Sequence, residues 1–187
     1  MCASSLQTGI CNEYGGTGMC TYIALLRAVN VGGTDKLPMS ELKAMCEQAG
    51  FCKVRTYIAS GNVLFESKDT VNQMTAALES RLEAYAGKRI GVLVRTAAEM
   101  TAVLAANPFA DSPPNGVVTI FLDTAPPADV LDQVTGRKNE RMALGAREIY
   151  VHYANGMGDS TLKITAAKTG TARNMNTVAR LAAMAAE

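Results

Sequence analysis

The chain has 187 residues, 48% hydrophobic and 19% charged, enough for one ordinary domain or two small ones sharing a core, and this excludes an intrinsically disordered chain. Lys and Arg number 18 against 17 Asp and Glu, a net charge of +1, which excludes a basic nucleic-acid coat or an acidic tail as a global feature. The single histidine, His152, removes every metal site that needs two, and no metal or cofactor is expected.

Residues 1–18 hold no Lys or Arg and no continuous apolar stretch, so they do not read as a signal peptide. They are rich in Gly, Ser and Thr and are expected to be a flexible tail or a misassigned start. The chain has no run of 18 apolar residues, so no membrane span is expected. The five cysteines, Cys2, Cys11, Cys20, Cys46 and Cys52, show no CxxC spacing. Free thiols in a reducing, cytoplasmic compartment are expected.

The first half is taken as residues 19–96. Residues 21–28 are almost continuously apolar, which suits a strand covered on both faces. Asn30 to Gly33 form a turn-rich loop, and Pro38 suits the first turn of a helix. Met39, Leu42, Met45, Cys46 and Ala49 make one helical stripe that Gly50 ends. Residues 53–59 and 62–67 alternate around Ser60-Gly61-Asn62, a hairpin signal. Thr70 and Gln73 form a capping box for a helix that runs to Gly87, and residues 89–95 form a strand. The order β-α-β-β-α-β is that of a ferredoxin-like split βαβ unit.

The second half is taken as residues 97–187. Thr96 and Glu99 form another capping box, and Asn107-Pro108 ends its helix. Residues 117–122 are a β-branched strand. Pro126-Pro127 open a short helix with Val130, Leu131 and Val134. Residues 141–144 and 147–153 make a second hairpin, and residues 160–168 and 174–185 read as two closing helices. The half is a near repeat lacking its last strand. The expected class is therefore α+β, two ferredoxin-like halves with the second incomplete and C-terminal helices after it.

In a split βαβ unit the end of the first strand, the start of the first helix and the strand 2–3 hairpin lie at one sheet edge. Arg27, Asn30, Gly32, Gly33 and Lys36 should therefore meet Ser60, Gly61 and Asn62. Helix N–H groups, two cations and neutral donors together suit phosphate, carboxylate or a nucleotide. The bland alternative is steric, since Gly and Asn are what such turns require. A second cluster, Arg173 and Asn174, precedes the last helix, where Asn174 can cap it and Arg173 can bind an anion or solvate the helix face. A third, His152 with Asn155 to Ser160, has the look of an anion nest without the Lys of a Walker motif. Nothing in its spacing favours a Ser160–His152–Asp159 arrangement.

YIALLRAVNVGG, LPMSELKAMCEQAGF, VRTYIASGNVLFES and TARNMNTVARL together resemble the bacterial family of unknown function DUF1697, over essentially residues 21–182. The resemblance implies an α+β fold of two ferredoxin-like halves and carries over no catalytic residue. Ala28 departs from a usual Gly and Met175 from a usual Trp, and the segment after NGMGDS is shorter than usual.

Four functions follow as expectations. The first is binding of an anionic small molecule or nucleotide at the 27–36 loop and 60–62 hairpin, with Arg173 and Asn174 as further ligand-binding residues. The second is an enzyme, a transferase or hydrolase, with Arg27 stabilising charge and Lys36, Ser60 or His152 in proton transfer or attack. The third, RNA binding, requires exposed aromatics at Tyr22 and Tyr57 and is disfavoured by the near-neutral charge. The fourth is a homodimeric interaction protein.

Overall fold

The computed structural model describes residues 18–30 and 36–187. It forms two compact units, one of residues up to Glu99 with Met184–Glu187, the other of Met100–Ala183.

The first unit contains β1 (Cys20–Leu26), α1 (Met39–Gln48), β2 (Cys52–Tyr57), β3 (Asn62–Ser67), α2 (Val71–Ala86) and β4 (Val92–Thr96). The strands form a sheet in the order β2-β3-β1-β4, antiparallel throughout, as expected for a split βαβ unit. Tyr22, Ala24 and Leu26 of β1 join Leu42, Met45 and Cys46 of α1 and Met74, Leu78 and Leu82 of α2 in one core. Ile23 and Leu25 point to the other face and are also fully buried. A strand buried on both faces has no polar positions to alternate, so its apolar run is continuous.

The local signals hold. Thr70 Oγ1 accepts from the Gln73 N–H while the Gln73 side chain accepts from the Thr70 N–H, and Gly87 ends α2 at φ 66°. Thr96 and Glu99 exchange the same reciprocal bonds at 2.8 and 3.1 Å. Cys46 is a free, buried thiol that burial pushes up to about 12. Cys20 and Cys52 are disulfide-bonded, which corrects the expectation of free thiols at these two positions.

The unit boundary falls within α3 (Ala97–Ala105). Beyond it lie β5 (Val117–Phe121), β6 (Arg141–Leu144), β7 (Glu148–His152), β8 (Thr171–Asn174) and α4 (Met175–Ala185). The second sheet has the order β6-β7-β5-β8, again antiparallel. Its pattern of pairing matches that of the first, so the fold is α+β, with two four-stranded antiparallel sheets and four helices among the described residues.

Two expectations fail here. The last strand of the second half is present: β8 pairs Thr171 with Phe121 and Arg173 with Thr119. Its four residues run straight into α4, so the sequence reads as a helix lead-in. What is missing from the second half is helix. Residues 126–134 form only turns, because one buried residue, Val130, gives too narrow a stripe to stabilise so short a helix. Residues 160–168 do not form an α-helix; a 3-10 turn spans Thr165–Thr169. Lys163 is drawn instead into a bridge with Thr135, and Thr161 Oγ1 donates to Gly136 O at 2.8 Å.

Candidate functional site

The end of β1 is held by its neighbours. Leu26 N donates to Gly61 O at 2.8 Å and Arg27 N to Gly91 O at 2.9 Å. Gly61 takes φ 75°, and a Cβ there would stand 2.8 Å from Leu26 Cβ. Neither the dihedral nor the space admits another residue.

Asn30 joins three segments. Its Nδ2 donates to Ala59 O at 2.7 Å and to Leu37 O at 3.1 Å, and its Oδ1 accepts from Leu37 N at 2.8 Å. The strand end, the hairpin and the lead-in to α1 are thereby tied at one edge. Asn30 has φ 58°, a conformation that Asn tolerates better than most residues. Asn62 is fully buried and donates to Tyr57 O at 2.9 Å and Ser60 Oγ at 3.0 Å.

These bonds divide the expected site residues. Asn30 and Asn62 direct their amides inward, and Gly61 answers a steric need. Ser60 Oγ accepts from Asn62. Arg27 is half-buried and lies against Gly91, where a Cβ would come within 2.8 Å of Arg27 Cδ. Lys36 is exposed. Gly32 and Gly33 lie outside the described residues. Helix α1, with Pro38 at its N-cap, has no side-chain cap, so its first N–H groups suit an acceptor. The groups at this edge suited to a ligand are two cations and a helix terminus.

Arg173 and Asn174 belong to the second unit. Arg173 is buried and donates at 2.8 Å to both Thr171 Oγ1 and Ala172 O; desolvation lowers its pKa to about 10. Asn174 Oδ1 accepts from Thr177 N at 2.9 Å and caps α4. These side-chain bonds lie within β8 and at the first turn of α4.

The third cluster assembles differently from a Ser-His-Asp set. Ser160 Oγ donates to Glu140 Oε1, and His152 Nδ1 faces Arg141 Nε at 3.3 Å. Glu140 also accepts from Lys138 N at 2.6 Å, and the Ser160 and Lys138 bonds hold its carboxyl below the usual range. Glu140, Tyr153, Asn155, Asp159 and Ser160 help to line a cavity of about 150 Å³. Burial, with Glu140 nearby, raises the Tyr153 hydroxyl. Sequence reasoning missed Glu140 and Arg141, since only the folding of 135–140 against 155–163 and the β6–β7 register reveal them. For RNA stacking, Tyr22 is unsuited, because it is buried in the helix-side core.

A family model described as protein of unknown function, DUF1697, matches residues 19–150. A solved structure of a conserved bacterial protein from Streptococcus pneumoniae is similar at 23% identity and a TM-score of 0.75, covering 90% of this chain and 99% of that one; this likeness shows the fold. No curated protein matches. Among the described residues no helix is long and apolar enough to cross a membrane.

Proposed function

The chain belongs to the DUF1697 family, and from that premise we propose that it binds an anionic small molecule or nucleotide at the edge where β1 ends, α1 begins and the β2–β3 hairpin turns. The observation that carries this reading is the Asn30 clamp. Its three bonds to Ala59 and Leu37 set the uncapped start of α1 at the same edge as Arg27 and the hairpin. A helix N-terminus with a guanidinium and an ammonium group nearby provides directed N–H donors and positive potential for an oxyanion. A net charge of +1 does not oppose this, because the potential is local. Arg27 and Lys36 supply the charge, and Asn30, Ser60, Gly61 and Asn62 shape the edge.

The test is a thermal-shift titration with inorganic phosphate and with nucleoside phosphates. The intact protein should gain stability with ligand concentration. Arg27→Ala should lose most of that gain, a drop in affinity of about tenfold or more for one charge-assisted bond, while unfolding without ligand at nearly the same temperature. Equal gains in both proteins would refute the reading. Product formation from a nucleoside phosphate, abolished by Lys36→Ala or Ser60→Ala, would mark the protein as an enzyme of the transferase or hydrolase class.

A further inference from the structure

The second unit holds a cluster that the proposed edge does not use. Arg141 opens β6 and stands directly opposite His152, the last residue of β7. Its guanidinium carbon lies 5.0 Å from the centre of the Phe109 ring. Its Nη2 donates to Ser112 Oγ at 2.9 Å, and both Nε and Nη2 lie 3.3 Å from His152 Nδ1. The His152 ring itself leans on Phe109, with centroids 5.9 Å apart.

Each contact fixes the guanidinium without neutralising it. The ring of Phe109 is itself buried, so it holds the cation in one plane. Ser112 and His152 are neutral acceptors, and no carboxylate pairs with Arg141 among the described residues. With Nδ1 accepting from the arginine, the neutral imidazole carries its proton on Nε2 and keeps a donor of its own. An exposed arginine, held flat over Phe109 with its Nε and Nη2 on His152 and Ser112, still presents Nη1 as a charged donor for an oxyanion.

We propose that Phe109, Ser112, Arg141 and His152 form a binding site for a phosphate-type oxyanion, separate from the edge of the first unit. The ligand takes hydrogen bonds from the guanidinium, with the imidazole as a second donor. The chemistry is that of a phosphate group, whether free or esterified.

The single histidine makes the test direct, because the imidazole C–H resonances can come only from His152. Inorganic phosphate and a simple phosphate monoester are titrated separately at constant ionic strength, with chloride as the control. The resonances should move saturably with one or both phosphates and not with chloride. Saturation by the monoester alone would identify an esterified ligand; saturation by both, a free-phosphate site. Arg141→Gln should weaken binding about tenfold or more, as expected for a lost charge-assisted bond. Ser112→Ala keeps the charge and should weaken binding less, and it serves as the variant if Arg141→Gln fails to fold. Arg27→Ala should leave the His152 response intact, which separates this site from the first. Resonances that follow phosphate no differently from chloride, or respond equally in Arg141→Gln, would overturn the proposal and leave Arg141 as a cover for the Phe109 ring.

Discussion

Ala28 takes φ 48° at the exposed end of β1, where an L-residue with a Cβ costs roughly 1–2 kcal/mol. The usual glycine of the family motif is thus a backbone requirement that this chain meets under strain. Three of the four non-glycine residues with positive φ among the described residues, Ala28, Asn30 and Ile58, border the candidate edge. Strain of this kind persists only where the surroundings over-determine it, and here the Asn30 and Gly61 bonds do so. Ala28→Gly should therefore raise the free energy of unfolding by about 0.5–1 kcal/mol, the relieved strain less the entropy of a glycine in the unfolded chain. Denaturant unfolding with an unchanged slope would check it, and a loss of stability would show that the methyl group is needed. At this scale the sequence was informative about residue type and silent about partner. Asn30 and Asn62 were recognisable as polar residues at the edge, yet their amides turn inward to carbonyls up to 29 residues away.

The first unit's elements were legible because their signals are local. A capping box, a Gly stop and a period of 3.6 or 2 need no distant partner. In the second half the helix after Thr96 and the helix over 174–185 form as their signals imply, whereas the helix signal at 160–168 is overridden for the opposite reason. Residues 160–163 have partners at 135–140: Ser160 on Glu140, Thr161 on Gly136, Lys163 on Thr135. These bonds outcompete a short helix whose nucleation is unfavourable. They also make this lacing sensitive to acid. The Glu140 carboxyl is held below its ordinary value in the folded state, so the unfolded state binds the proton more readily. Its contribution is present above the unfolded value near 4.5 and is lost as pH falls through the lower folded one. Glu140→Gln should thus be less stable than the parent protein at neutral pH, with the difference closing in strong acid. Unfolding measured across pH 2–7 checks this range of roughly the carboxylate titration. A constant difference would mean that the charge has no part in it.

For the molecule as a whole, the inner strands β1 and β5 are buried while the edge strands β2 and β6 are partly exposed. In the first unit β1 lies between β3 and β4 and is buried on both faces, whereas β2 is an edge strand with a register shift between Cys52 and Arg55. In the second unit β5 is inner and β6 is the partly exposed edge. Hydrogen exchange should accordingly be slowest in β1 and β5, with opening energies near the global value, and orders of magnitude faster in β2 and β6. Equal protection in edge and inner strands would contradict this. The amino-acid sequence by itself determined the α+β class, the strand and helix order of the first unit, and the family, because apolar period, caps and turn residues act over a few positions. Only the tertiary structure decided that the second sheet has its fourth strand, that residues 160–168 are not α-helical, and that Arg141 meets His152. Those outcomes depend on pairings across the chain, where a bond to a distant residue outweighs a weak local preference.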